Sequence, residues 1–95
     1  MKYVYPAVFS PEETGGFCVY FPDIPMGATQ GESLVECMDA AGKFLGDALC
    51  FIEDEQKFLP EPSALSAIER SEKDIATLVF VDTTLFRNQS EIKSA

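Results

Sequence analysis

Ninety-five residues suffice for one small domain, and 46% hydrophobic with 12% aromatic residues exclude a chain too polar to build a core. Sixteen acidic residues against 7 basic ones leave a net charge of −9, which argues against phosphate-backbone binding and against adsorption to anionic membrane. Such a surface keeps a chain soluble or speeds its capture of a basic protein.

Lys2 to Phe9 is aromatic and β-branched and predicts a first strand, with Pro6 placing it at a sheet edge or a bulge. Ser10 to Gly16 is a polar turn. Phe17 to Phe21 predicts a second strand, antiparallel to the first, with Phe17, Val19 and Phe21 on one face and Cys18 and Tyr20 on the other. Pro22 to Gly27 is irregular, and Ala28-Thr29-Gln30 forms a short third strand before Gly31.

Ser33-Leu34-Val35-Glu36 is a capping box, in which the serine hydroxyl accepts an orphan N–H and Glu36 reaches back to the N-cap N–H. The helix it opens carries Leu34, Cys37, Met38, Ala41, Leu45, Ala48, Leu49 and Ile52 as one apolar stripe. Gly42 and Gly46 interrupt it, which predicts close approach to a sheet. Glu53-Asp54-Glu55 opposes the helix dipole, so fraying is expected there. A linker from Phe58 to Pro62 leads to a short helical turn over Ser63–Ile68. Ile75 to Leu85 predicts a last strand, whose apolar run suits burial on both faces inside a sheet or across a subunit interface. The expected class is therefore α+β, ordered β-β-β-α-(short α)-β, with one long helix on an antiparallel sheet.

A domain this small buries roughly 60–65% of its unfolded surface, so a homodimer or higher homo-oligomer is expected. No apolar run approaches membrane-spanning length, and the N-terminus lacks a signal peptide's pattern, so a cytoplasmic location is expected. Cys18, Cys37 and Cys50 match no zinc or CxxC spacing and read as reduced, buried thiols.

Tyr5-Pro6-Ala7-Val8-Phe9, then Gly16 to Pro25 with Phe21-Pro22-Asp23, then Thr29-Gln30-Gly31 before Ser33-Leu34, resemble the N-terminal domain of HicB-type antitoxins. Glu36, Ala41, Leu45 and Val79-Phe80-Val81-Asp82 extend the likeness, which spans residues 3 to about 87. The family-motif loop is carried by Phe21, Pro22, Asp23, Pro25, Thr29 and Gly31. The resemblance implies a partial RNase-H-like fold and an antitoxin that covers the RNA-facing surface of a small basic HicA-like ribonuclease toxin. The chain departs from the family at Pro25-Met26-Gly27, where Pro-Gly-Cys is usual. Residues 1–87 are thus expected to form a HicB-like toxin-binding domain, and 88–95 a polar tail with no room for a DNA-binding region.

An RNase-H-like fold raises the question of metal-dependent cleavage, which needs converging carboxylates. Asp23, Glu36, Asp47 and Asp82 are the candidates, but turn, cap, polar face and strand end account for them separately. With no histidine in the chain, Ser-His and Cys-His nucleophiles are excluded. The glycines follow no phosphate-cradling spacing, and the aromatics of the first strands lack interleaved Arg or Lys for RNA stacking. The reading is a binding module, not an enzyme, with no catalytic residue, metal or cofactor and no direct nucleic-acid or membrane binding. Partner contact is expected at Asp23, Gln30, Glu32 and Glu36, polar residues around the irregular loop and the start of the helix. The alternative is an orphan regulatory or assembly module on the same fold.

Overall fold

The computed structural model describes the backbone of residues 1–94 and side chains through residue 89. Four strands form one antiparallel sheet: β1 (Lys2–Pro11), β2 (Phe17–Tyr20), β3 (Ala28–Gly31) and β4 (Ile75–Asp82), in the spatial order β3-β2-β1-β4. Helix α1 (Leu34–Asp54) lies on one face, a 3-10 turn occupies Leu65–Ala67, and α2 (Thr83–Ser94) follows β4.

β1 is an inner strand despite Pro6, because of where its hydrogen bonds point. The bonds Glu12 N–H to Gly16 O (3.0 Å) and Thr83 N–H to Met1 O (2.9 Å) set the ladder's phase. Even-numbered residues of β1 turn their backbone groups toward β2, odd-numbered ones toward β4. Pro6 would donate toward β2, whose register runs only from Val8↔Tyr20 to Pro11↔Phe17. The missing N–H faces a gap, and no ladder bond is lost.

The core lies between α1 and the sheet. Tyr5, Ala7 and Phe9 from β1, Val19 and Phe21 from the second hairpin arm, and Val79 and Val81 from β4 meet Cys37, Ala41, Leu45, Ala48, Leu49 and Ile52. Burial of a leucine such as Leu45 or Leu49, neither solvent-exposed, stabilises by about 1.5–3 kcal/mol. The expected alternation of β2 holds, with Phe17 packed at the edge of the core. The helical stripe is narrower than its sequence pattern: Leu34 and Met38 are exposed, and Phe44 instead stacks on Phe21 with ring centroids 5.8 Å apart.

Two elements depart from expectation. The last strand is not buried on both faces: it is one of the sheet's two edge strands, with Leu78 and Phe80 more than half exposed. It also stops at Asp82, whose carboxylate accepts the N–H groups of Thr84 (3.0 Å) and Leu85 (3.4 Å) as an N-cap. Residues read as strand end and polar tail therefore form α2, and only residue 95 of that tail lies outside the described residues. Gly46 gives way to this helix, not to the sheet: a Cβ there would sit 2.6 Å from the Phe86 ring. Gly42 has open space beside it.

α2 also answers the acidic end of α1. Arg87 donates to Glu53 at 3.1 Å, to Asp54 at 3.0 Å and to the Cys50 carbonyl at 3.2 Å. It thus supplies, from another element, the cation and the carbonyl cap that the last turn of α1 lacks. α1 ends at Asp54, within the acidic triplet that Arg87 binds.

Candidate partner-binding site

Three of the four expected contact residues come together, and one does not. β3 ends at Gly31, and α1 starts three residues later, so Gln30, Glu32 and Glu36 surround one corner of the sheet. The β1–β2 turn folds against the same corner because Phe17 pairs with Gly31. The result is an open cleft of about 310 Å³ lined by Glu12, Phe17, Gln30, Glu32 and Glu36, among others. Glu12 was invisible as a site residue in the sequence, where it reads as turn filler. The β1–β2–β3 register is the signal that places it.

Glycine is required at this corner on steric grounds. Gly16 has φ +74°, and a Cβ on it would meet the Gly31 carbonyl oxygen at 2.6 Å. A Cβ on Gly31 would meet the Cys37 backbone nitrogen at 2.8 Å. The Thr-Gln-Gly lead thus lets the third strand run directly under the first turn of α1.

The capping box forms with a shifted partner. The Ser33 hydroxyl accepts from Glu36 N–H at 3.2 Å, while the Glu36 carboxylate accepts from Glu32 N–H at 2.9 Å, not from that of Ser33. A cap of this kind contributes about 1 kcal/mol. It also holds the Glu36 carboxylate in the cleft, where one oxygen serves the backbone.

Asp23 lies elsewhere. Its carboxylate accepts from Ser63 N–H at 2.8 Å and from the Ser63 hydroxyl at 2.6 Å, fastening the segment that returns from α1 to β4. Tyr5 holds the same segment through its hydroxyl, which donates to the Pro60 carbonyl at 2.6 Å. Ser10, donating to Asp74 at 2.8 Å, fixes its far end. Phe21 and Ile24, both buried, anchor the intervening loop, and Pro22, Pro25 and Met26 point outward. The Pro25-Met26-Gly27 departure is accommodated at Gly27, whose φ of +123° suits glycine alone.

Glu36, Asp23, Asp82 and the exposed Asp47 are thus dispersed into separate local roles, and no group of metal-binding side chains converges among the described residues. Of the thiols, Cys37 is buried, and burial pushes its pKa up, whereas Cys18 and Cys50 are only half-buried. No helix of the described residues is long and apolar enough to cross a membrane.

No family model matches the chain. Among curated proteins it is 40% identical over 63 residues to antitoxin HicB of Escherichia coli K12, covering 66% of this chain and 46% of that protein. Antitoxin HicB 1 of Photorhabdus laumondii is 38% identical over 58 residues, 61% of this chain and 37% of that protein. The chain therefore spans less than half the length of these relatives. Among solved structures it is similar to a chain of a toxin–antitoxin complex from Streptococcus pneumoniae, with TM-score 0.81 and 25% identity over 90% of this chain and 73% of that one. The antitoxin HicB of Burkholderia pseudomallei shares the fold, with TM-score 0.71 at 14% identity over 97% of this chain and 86% of that one. A chain of a HicA3–HicB3 toxin–antitoxin complex does so at TM-score 0.64 and 22% identity, over 81% of this chain and 95% of that one.

Proposed function

We propose, from the likeness of this chain to HicB-type antitoxins in both sequence and fold, that it is an antitoxin domain that binds and neutralises a small basic HicA-type toxin. The observation that carries the reading is the 40% identity to antitoxin HicB over 63 residues, supported by the fold match at TM-score 0.81. The physical basis is charge: a −9 chain presents an acidic cleft, bounded by Glu12, Glu32 and Glu36, to a partner whose own work requires a cationic RNA-binding surface. On this reading the domain acts by occupying that surface, as a binding module without catalysis of its own. Gln30, Glu32 and Glu36 serve as contacts, with Glu12 beside them, while Asp23 acts by fixing the loop.

The test is to titrate a HicA-type toxin with this chain and follow both binding and residual RNA cleavage. Binding that suppresses cleavage, weakened at least about tenfold by Glu12→Lys combined with Glu32→Lys, is the expected outcome. A toxin that is not bound, or is bound and still cleaves, removes the antitoxin assignment and leaves an orphan module on the same fold.

A further inference from the structure

β4 offers a surface of a different kind from the acidic cleft, at the opposite edge of the sheet. The ladder phase turns the odd-numbered residues of β4 toward β1. Ala76, Leu78 and Phe80 therefore point their N–H and C=O groups outward, where no strand lies beside them among the described residues. Edge strands are ordinarily protected by a charge, a proline or a bulge. From Ile75 to Val81 this one carries none of these.

Its side chains match the bare backbone. Leu78 is 52% exposed, Phe80 58% and Val4, which pairs with Phe80 across the ladder, 41%. Round the edge lies a groove of about 380 Å³ between α1, β4 and α2, where the exposed Met38 and Leu85 stand beside Asp39, Lys43 and Asp82, so the uncharged stretch is the strand from Ile75 to Val81 itself.

We propose that this edge is where a second copy of the chain adds, antiparallel, to form a continuous eight-stranded sheet. Two arguments select a copy over a foreign partner. The strand is self-complementary: about a two-fold axis at Val79, each outward-facing Leu78 meets Phe80 of the other copy, so both backbone bonds and apolar side chains are matched. Charge points the same way. Two chains of −9 each repel, and an uncharged seam lets them approach with least penalty, whereas a cationic partner finds its carboxylates at the β3 end. The two edges of the sheet thus divide self-association from capture of a basic protein. The choice of a copy over a foreign partner rests in part on the antitoxin reading, whereas the dimer itself is tested on the isolated chain without a toxin.

The experiment combines sedimentation analysis of the isolated chain, from about 1 µM to about 200 µM, with residue-resolved amide exchange. A dimer is expected, in which the amides of Ala76, Leu78 and Phe80 exchange as slowly as those of Thr77, Val79 and Val81. Leu78→Lys and Phe80→Lys place a charge on exposed positions, so circular dichroism should be unchanged. Each should yield a monomer in which the three outward amides exchange at least about tenfold faster. A wild-type chain that stays monomeric over the whole range overturns the proposal. So does a dimer that survives both substitutions, or one whose outward amides exchange freely.

Discussion

Glu53 shows how one side chain ties three elements together. Its carboxylate accepts from Tyr3 at 2.6 Å, from Thr83 at 3.0 Å and from Arg87 at 3.1 Å, linking β1, α1 and α2. Desolvation pushes its pKa up, but the bonds from Tyr3, Arg87 and Thr83 together outweigh that and hold it below the ordinary glutamate value. The unfolded chain therefore takes up the proton first on acidification. The stability Glu53 contributes is complete above about pH 4.3 and is lost as pH falls through the lower folded-state value. Asp74, held low by Ser10 and Ser71, adds to the same limb. Tyr3 behaves oppositely: burial first, then Glu53, pushes its phenol up to about 12. Its contribution is complete below about pH 10 and drains away as pH rises toward the folded value. Urea midpoints measured across pH should fall at both ends, and Glu53→Gln should shallow the acid limb. An acid limb identical in that variant would mean that the three elements are not joined there.

Among the elements, α1 and α2 meet through glycine and aromatic, and the two helix glycines are predicted to respond oppositely to alanine. A Cβ on Gly46 meets the inner atoms of the Phe86 ring at 2.6–2.9 Å, so the ring cannot simply swing its tip aside. Gly46→Ala should force α2 outward and destabilise by about 1–3 kcal/mol. At Gly42 nothing lies within 4 Å of the added carbon, and alanine removes only glycine's entropic cost in a helix. Gly42→Ala should stabilise by up to about 1 kcal/mol. Thermal denaturation of the two variants measures both signs, and a neutral Gly46→Ala would place Phe86 somewhere else.

Over the whole molecule, the β3 end of the sheet carries the cleft lined by Glu12, Glu32 and Glu36, and the β4 edge carries an uncharged run from Ile75 to Val81. If the β3 end captures a basic HicA-type toxin, the −9 charge should act mainly on the rate of encounter. Complementary fields lift association above the unsteered range of about 10⁵–10⁶ M⁻¹s⁻¹, and salt screens them over a Debye length of about 10 Å at 0.1 M. Raising salt to about 0.5 M should slow association by about tenfold or more, while close-range contacts keep dissociation nearly constant. Stopped-flow association at several ionic strengths decides this. A rate indifferent to salt would remove charge from the mechanism of capture.

Sequence pattern alone sufficed wherever the deciding interaction is local. Alternation set the inward face of β2, three- and four-residue spacing set the buried stripe from Cys37 to Ile52, and Ser33 marked the start of α1. Gln30, Glu32 and Glu36 were legible as a group because they flank one strand-to-helix junction. What remained hidden depends on residues distant in the chain. Pro6 reads as a residue of a sheet edge or a bulge, yet it sits on an inner strand because β2 ends before reaching it. Asp23 reads as an exposed contact, yet Ser63, far along the chain, claims both its oxygens. Glu12 joins the cleft only through the β1–β2–β3 register. The apolar run of β4 reads as doubly buried. Only sheet order reveals it as an open edge, because an apolar strand flanked on both sides and one at a sheet edge have the same local pattern.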